Sequence, residues 1–186
     1  MHRRSIVPVM LLAALAFAAC GKSSTTGSPP TSVSKLSSPS WEKAKPNPST
    51  SAKMICETEV RGEISQALGI TETRVVPTWN KTTHLYSCAY VYPRGRIVLS
   101  VKEMSSERET TAYFDAVKKK YGTKNAIVGL AQGAWLLKND DVVARKDYKV
   151  LFVDVHGIPR DFVTRLLPSG VANTIATVIM ACWTGA

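Results

Sequence analysis

Apolar residues recur with two periods along this chain. From Met54 to Leu68, Cys56, Val60, Ile64 and Ala67/Leu68 fall at four-residue steps, which predicts a helix with one apolar face, stopped by Gly69. Tyr86–Tyr92 and Arg96–Lys102 alternate with period two and predict a hairpin. A turn at Arg94-Gly95 would set Tyr92 opposite Ile97, Tyr90 opposite Leu99 and Cys88 opposite Val101, gathering these six on a core face. Glu107–Tyr121 reads as a second helix, with Ser106 and Glu109 as a capping box and Tyr113, Phe114, Val117 and Tyr121 as its buried stripe. Lys118, Lys119 and Lys120 fall in its last turn, where positive charge suits the helix dipole.

Three strands are expected next, over 127–137, 142–145 and 150–155, with turns at Asn139-Asp140 and Asp147-Tyr148. If both turns have two residues, Trp135, Leu137, Val142, Ala144, Leu151, Val153 and Val155 share one face. Leu136, Val143, Phe152, Asp154 and His156 then share the other. Gly129 and Gly133 mark bulges or close packing. The last helix is expected to follow Pro168, capped by Ser169, with Val171, Ile175, Val178, Ile179 and Cys182 on its apolar side. The predicted fold is α+β: an antiparallel sheet of about five strands with three helices mainly on one face. No βαβ series with a glycine-rich first turn is present, which argues against a dinucleotide fold.

The first 52 residues are of another kind. Residues 1–19 pair a basic start (Arg3, Arg4) with an apolar run too short to span a bilayer, and Ala18-Ala19 precede Cys20. This segment resembles a bacterial lipobox, with Phe17 in place of the usual Leu. The resemblance implies removal of 1–19 and diacylation of the Cys20 thiol. In residues 21–51, Ser, Thr, Pro and Gly fill 21 of 31 positions, which predicts a disordered tether over 20–52 ahead of a globular domain at 53–186. Ser32-Val33-Ser34-Lys35 spells the SxxK of penicillin-recognising enzymes, but it lies in this tether without companion motifs.

The chain has 186 residues and a formal charge of +10, with 45% apolar residues. Loss of Arg3 and Arg4 would leave 22 basic against 14 acidic side chains, a formal +8. That balance favours anionic lipid or wall polymer as a partner, and the expected compartment argues against nucleic acid. Outside the cell, disulfides persist. With Cys20 acylated, Cys56, Cys88 and Cys182 allow three pairings. Cys56–Cys88 is the expected bridge, since both lie on core faces, and Cys182 would remain a buried thiol. The rival pairing puts Cys182 in the bridge.

Catalytic and metal motifs are sparse. There is no HExxH, CxxC, EF-hand spacing, GxSxG, Walker A or GxGxxG, so no metal, cofactor or enzymatic activity is expected. Asp154 and His156, two apart on a strand, can share a face, and a carboxylate there can orient an imidazole for a hydrolase. No nucleophile can be placed beside them, so a polar sheet face is the plainer reading. Asp140-Asp141 suits a turn, and Trp79 is placed in a loop as a core plug or binding aromatic. Leu136, Val143 and Phe152 opposite the core need a covering element, or they form an apolar binding surface together with Asp154 and His156.

Several segments together resemble a family of secreted actinobacterial lipoproteins: Cys20, the tether, the helix opening with Cys56, Tyr86-Ser87-Cys88-Ala89-Tyr90, Val128-Gly129-Leu130, Val150–Val155 and Cys182-Trp183. The resemblance implies a lipid-anchored extracytoplasmic domain on the cell membrane and carries no catalytic residue. The expected role is a non-catalytic module that binds a hydrophobic ligand, an envelope polymer or an envelope protein. An accessory subunit of an envelope complex is the alternative, and a hydrolase using Asp154 and His156 is a further one.

Overall fold

The computed structural model describes residues 38–39 and 41–184. The expected signal peptide, Cys20 and the part of the expected tether up to residue 37 lie outside the described residues. The elements are β1 (Ser38–Pro39), α1 (Thr50–Lys53), a 3-10 turn (Met54–Cys56), α2 (Thr58–Leu68), β2 (Arg74–Asn80), β3 (Leu85–Tyr92) and β4 (Gly95–Glu103). They continue with α3 (Glu107–Tyr121), β5 (Thr123–Ala126), β6 (Gly133–Leu137), β7 (Val142–Lys146), β8 (Lys149–Gly157), α4 (Pro168–Cys182) and β9 (Trp183–Thr184).

The fold is α+β. Seven strands form one antiparallel sheet in the order β2-β3-β4-β8-β7-β6-β5, and β1 pairs with β9 in parallel. Two meanders, β2-β3-β4 and β5-β6-β7-β8, therefore meet at the β4–β8 pair. The count exceeds the expected five strands because β2 and β5 are the two edges. Their side chains are mostly exposed or half-buried, so neither shows alternation, and Pro77 sits in β2, where an edge tolerates it. Trp79 accordingly lies on β2 and not in a loop. The expected strand over 127–137 is instead the end of one hairpin arm, a connection with Gly129 and Ala131 at positive φ, and β6.

Helices cover both faces. On one face α2 and α4 bury Val60, Ile64, Leu68, Val171, Ile175 and Ile179 against Cys88, Tyr90, Ile97, Leu99, Leu151 and Val153. On the other, Phe114 and Val117 of α3 meet Leu137, Val143 and Val150. The expectation of helices mainly on one face is thus corrected: β6, β7 and β8 carry apolar residues on both sides, and α3 seals the second.

Turn lengths decide which expected faces survive. In the first hairpin the turn is Pro93-Arg94, so Tyr90 faces Ile97 and Cys88 faces Leu99. The register moves by two residues from the expected one, and every core residue stays on its face. Between β6 and β7 the shift is one residue. Leu136, not Leu137, pairs with Val142, and Trp135 pairs with Val143. Trp135 and Leu137 therefore face α3, while Leu136 joins the α2/α4 side.

The first helix is broken at Glu57, which is extended, and α1 begins before the expected domain start at residue 53, with Ser51 and Ala52 fully buried. Gly69 closes α2 in the left-handed conformation. The Ser106 hydroxyl accepts from Glu109 N, while the Glu109 carboxylate accepts from Ser105 N, one residue earlier than a capping box requires. In α4, Leu167 is the N-cap and Pro168 the first residue, so Ser169 lies inside the helix and is not its cap.

Cys56 and Cys88 are bridged, with Cα atoms 5.7 Å apart. Beside them the Tyr90 hydroxyl donates to the Ile55 carbonyl at 2.6 Å, and the Trp183 indole donates to the Ser51 carbonyl at 3.1 Å. Cys182 is buried at the end of α4, but no described cysteine is a free thiol, which corrects the thiol expected there. The Cys56–Cys88 loop spans 32 residues. In the chain-entropy model such a loop contributes about 3–4 kcal/mol. A Cys56→Ala/Cys88→Ala variant should lose about that much in urea unfolding, and a loss below about 1 kcal/mol would show that the bridge does not constrain the unfolded chain.

Candidate functional site

The five residues expected to form an open surface separate into three groups. Leu136 is turned to the opposite face. Val143 is fully buried under α3, and Phe152 packs on Tyr121 with ring centres 5.3 Å apart. Helix α3 is therefore the cover that the apolar members required. Lys118 belongs to that cover. Its ammonium lies 5.2 Å from the Phe114 ring centre and 5.1 Å from that of Trp135, and pairs with Asp115 at 3.0 Å.

Asp154 and His156 do come together, and a third group joins them. Asp141 precedes β7, and the pairing of β7 with β8 sets it beside the end of β8. Its Oδ1 accepts from Val155 N at 2.9 Å, and its Oδ2 accepts from the Asn139 amide at 2.7 Å. His156 Nδ1 lies 3.4 Å from Asp141 Oδ2 and 3.2 Å from Asp154 Oδ1. His156 N also donates to that Asp154 oxygen at 2.9 Å. Asp141 is fully buried, Asp154 half-buried and His156 exposed. Burial pushes the Asp141 carboxyl up to about 6, aided by the Asp154 charge and opposed by the Val155 N–H and by His156. Among the described residues no serine or cysteine hydrogen-bonds to His156. Ser87 and Ser100 bond to each other, with their hydroxyl oxygens 2.9 Å apart.

The same end of the sheet carries a groove on the α4 side. The Gly95 and Gly157 backbones meet here: a Cβ on Gly95 would come within 2.4 Å of Gly157 O, so neither strand end tolerates a side chain. Beyond this contact, residues 158–167 fold back toward the Pro93-Arg94 turn. A cleft of about 280 Å³ lies between Ile70, Thr71, Tyr92, Pro93, Arg94 and Phe162. It shares Arg94 with a wider hollow of about 600 Å³ that includes Arg160, Asp161, Arg165 and Leu167. Tyr92 and Phe162 meet edge-on at 5.0 Å, and the buried Tyr92 hydroxyl has no hydrogen-bond partner among the described residues. Arg94 binds Asp161 Oδ2 at 2.6 Å, which holds that carboxyl below its ordinary range. Leu167 is 66% exposed at the rim. This groove was not legible in the sequence, where 158–167 shows neither periodicity nor a motif. Arg160 and Arg165, five residues apart within this segment, were its one signal.

Comparison with protein-family models, with curated proteins and with solved structures finds no match to this chain. The site is therefore read from its own residues.

The Asp141 environment sets a pH dependence. In chelator-treated protein, folded Asp141 holds its proton to about pH 6, whereas an unfolded Asp releases it near 3.9. The folded state binds more protons between those values, so this group's contribution to stability is lost as pH rises from about 4 to about 6. Asp141→Asn should therefore gain stability relative to wild type across that window in urea titrations. A constant difference, or one that falls, would contradict the burial argument.

Proposed function

We propose that the protein is a lipid-anchored, non-catalytic binding module on the outer face of the cytoplasmic membrane, and that its groove takes an anionic amphiphile. The lipobox-like Ala18-Ala19-Cys20 and the basic charge balance support the location. No helix among the described residues is long and apolar enough to cross a membrane.

The observation that carries the binding reading is the junction at Arg94. On one side is a cleft walled largely by Ile70, Tyr92, Pro93 and Phe162, with Thr71 beside them. On the other are Arg160 and Arg165, with only Asp161 to offset them. Guanidinium forks match carboxylate and phosphate geometry, and an apolar cleft accepts the first methylenes of a chain. A ligand with an anionic head on an apolar tail satisfies both halves.

The groove's place in the fold supports the same reading. At the other end of β8, Lys149 Nζ donates to the Glu42 carbonyl at 2.7 Å, where the chain joins the domain. The nine residues of β8 separate the two ends by about 26 Å. The groove thus faces away from the entering chain, toward ligands met beyond the anchor.

Two measurements test this reading. Mass spectrometry of the amino-terminal peptide from the native host should find Cys20 carrying acyl chains. An unmodified Cys20, an intact leader, or a Cys20–Cys182 disulfide would contradict the anchor. For the groove, Cys20→Ala protein should bind dodecyl phosphate below its micellar concentration, more tightly than inorganic phosphate or dodecyl maltoside. Arg160→Ala/Arg165→Ala should weaken that binding by about tenfold or more. Equal binding of the neutral detergent, or an unaffected double variant, would reject the groove as an anionic site.

A further inference from the structure

The side chains of Asp141, Asp154 and His156 converge from two strand ends on one point. Each offers a ligand atom, and the three atoms lie within 4.8 Å of one another. His156 Nδ1 lies 3.2 Å from the Asp154 oxygen and 3.4 Å from the Asp141 oxygen. Donors bound about 2.1 Å from a common ion lie about 3.0 Å apart in an octahedral shell and about 3.4 Å apart in a tetrahedral one. Two of the three separations match these shells, and the third pair of atoms lies within 4.8 Å.

Charge supplies a separate argument. The chain has ten more basic than acidic side chains, yet among the described residues no Lys or Arg pairs with Asp141 or Asp154. The neighbouring Asp140 does have such a partner, Lys124 at 3.4 Å. Among the described residues, the one side chain able to carry positive charge against these two carboxylates is thus an imidazole, and one of the carboxylates is fully buried. Even a protonated His156 leaves the cluster one negative charge in excess, and a neutral one leaves two.

We propose that Asp141, Asp154 and His156 bind one divalent first-row transition ion, with Zn2+ as its representative. The single imidazole nitrogen favours such an ion over Ca2+ or Mg2+, which prefer oxygen alone. Asn139 and Val155 N act behind the first shell, fixing the Asp141 carboxylate so that it does not turn away. The exposed side of His156 leaves the remaining positions to water. The site lies on the α3 side of the sheet and the arginine groove on the α4 side, so this inference does not rest on the groove or on the anchor.

The test uses the Cys20→Ala chain, stripped with a chelator and titrated with Zn2+ by calorimetry and with Co2+ by visible absorption. One ion per chain should bind with micromolar or tighter affinity, and the Co2+ spectrum should carry the d–d bands of a mixed nitrogen–oxygen shell. His156→Ala and Asp154→Asn lie on exposed or half-exposed side chains and should leave the metal-free chain folded, with a cooperative thermal transition. Each should weaken Zn2+ binding about tenfold or more, and His84→Ala should have no effect. Binding that survives both variants, a weakening by His84→Ala equal to theirs, an affinity no better than millimolar, or equal displacement by Ca2+ would overturn the proposal.

Discussion

Everything distinctive in this domain depends on β8 being paired on both sides, with β4 and with β7. Those two ladders fix its register, and its register fixes what gathers at each end. Val150, Leu151, Val153 and Val155 are buried along it, so α3 and α4 pack on opposite faces of the same strand. At its start, Lys149 and Glu103 are both fully buried, 3.9 Å apart, under the segment that brings the chain in from residue 42. Burying two charges is costly, and Lys149 is accordingly pushed toward its neutral form by burial. Ser49 N donates to Glu103, and the Glu42 carbonyl accepts from Lys149, so the incoming chain supplies hydrogen bonds to both partners. At its end, β8 places Asp154 and His156 beside Asp141 and launches the loop that forms the groove.

The sequence reveals the parts of this arrangement that are buried on one side. Helices α3 and α4 are legible because Phe114 and Val117, or Val171, Ile175 and Ile179, must face one core. The Cys56–Cys88 bridge is legible for the same reason. The hairpin β3–β4 shows how forgiving a period of two can be: an error of two residues in register leaves Cys88, Tyr90 and Leu99 where they were expected. Between β6 and β7 an error of one residue exchanges Leu136 for Trp135 and Leu137. The connection there holds Asp140 at a φ of 69°, and Asp is one of the few residues besides glycine that adopts this readily. Nothing in the local composition distinguishes that longer connection from a two-residue turn.

The candidate site residues were less legible because they are assembled from distant segments. Asp154 and His156 are visible as a pair on one strand, but Asp141 reaches them only through the β7–β8 pairing. The groove likewise joins Arg94 to Arg160 and Arg165 across the β4–β8 contact at Gly95 and Gly157. Both sites lie at the end of the sheet remote from the incoming chain, one on each face. The incoming segment and these charged groups thus lie at opposite ends of β8.

The most direct measurement of that account is an amide chemical-shift map of the Cys20→Ala protein during titration with dodecyl phosphate. The account predicts shifts concentrated at residues 70–71, 92–96 and 157–167, with the incoming segment at 41–49 and the Lys118–Lys120 end of α3 unmoved. Shifts centred on those lysines or on the incoming segment, or none at all, would contradict it.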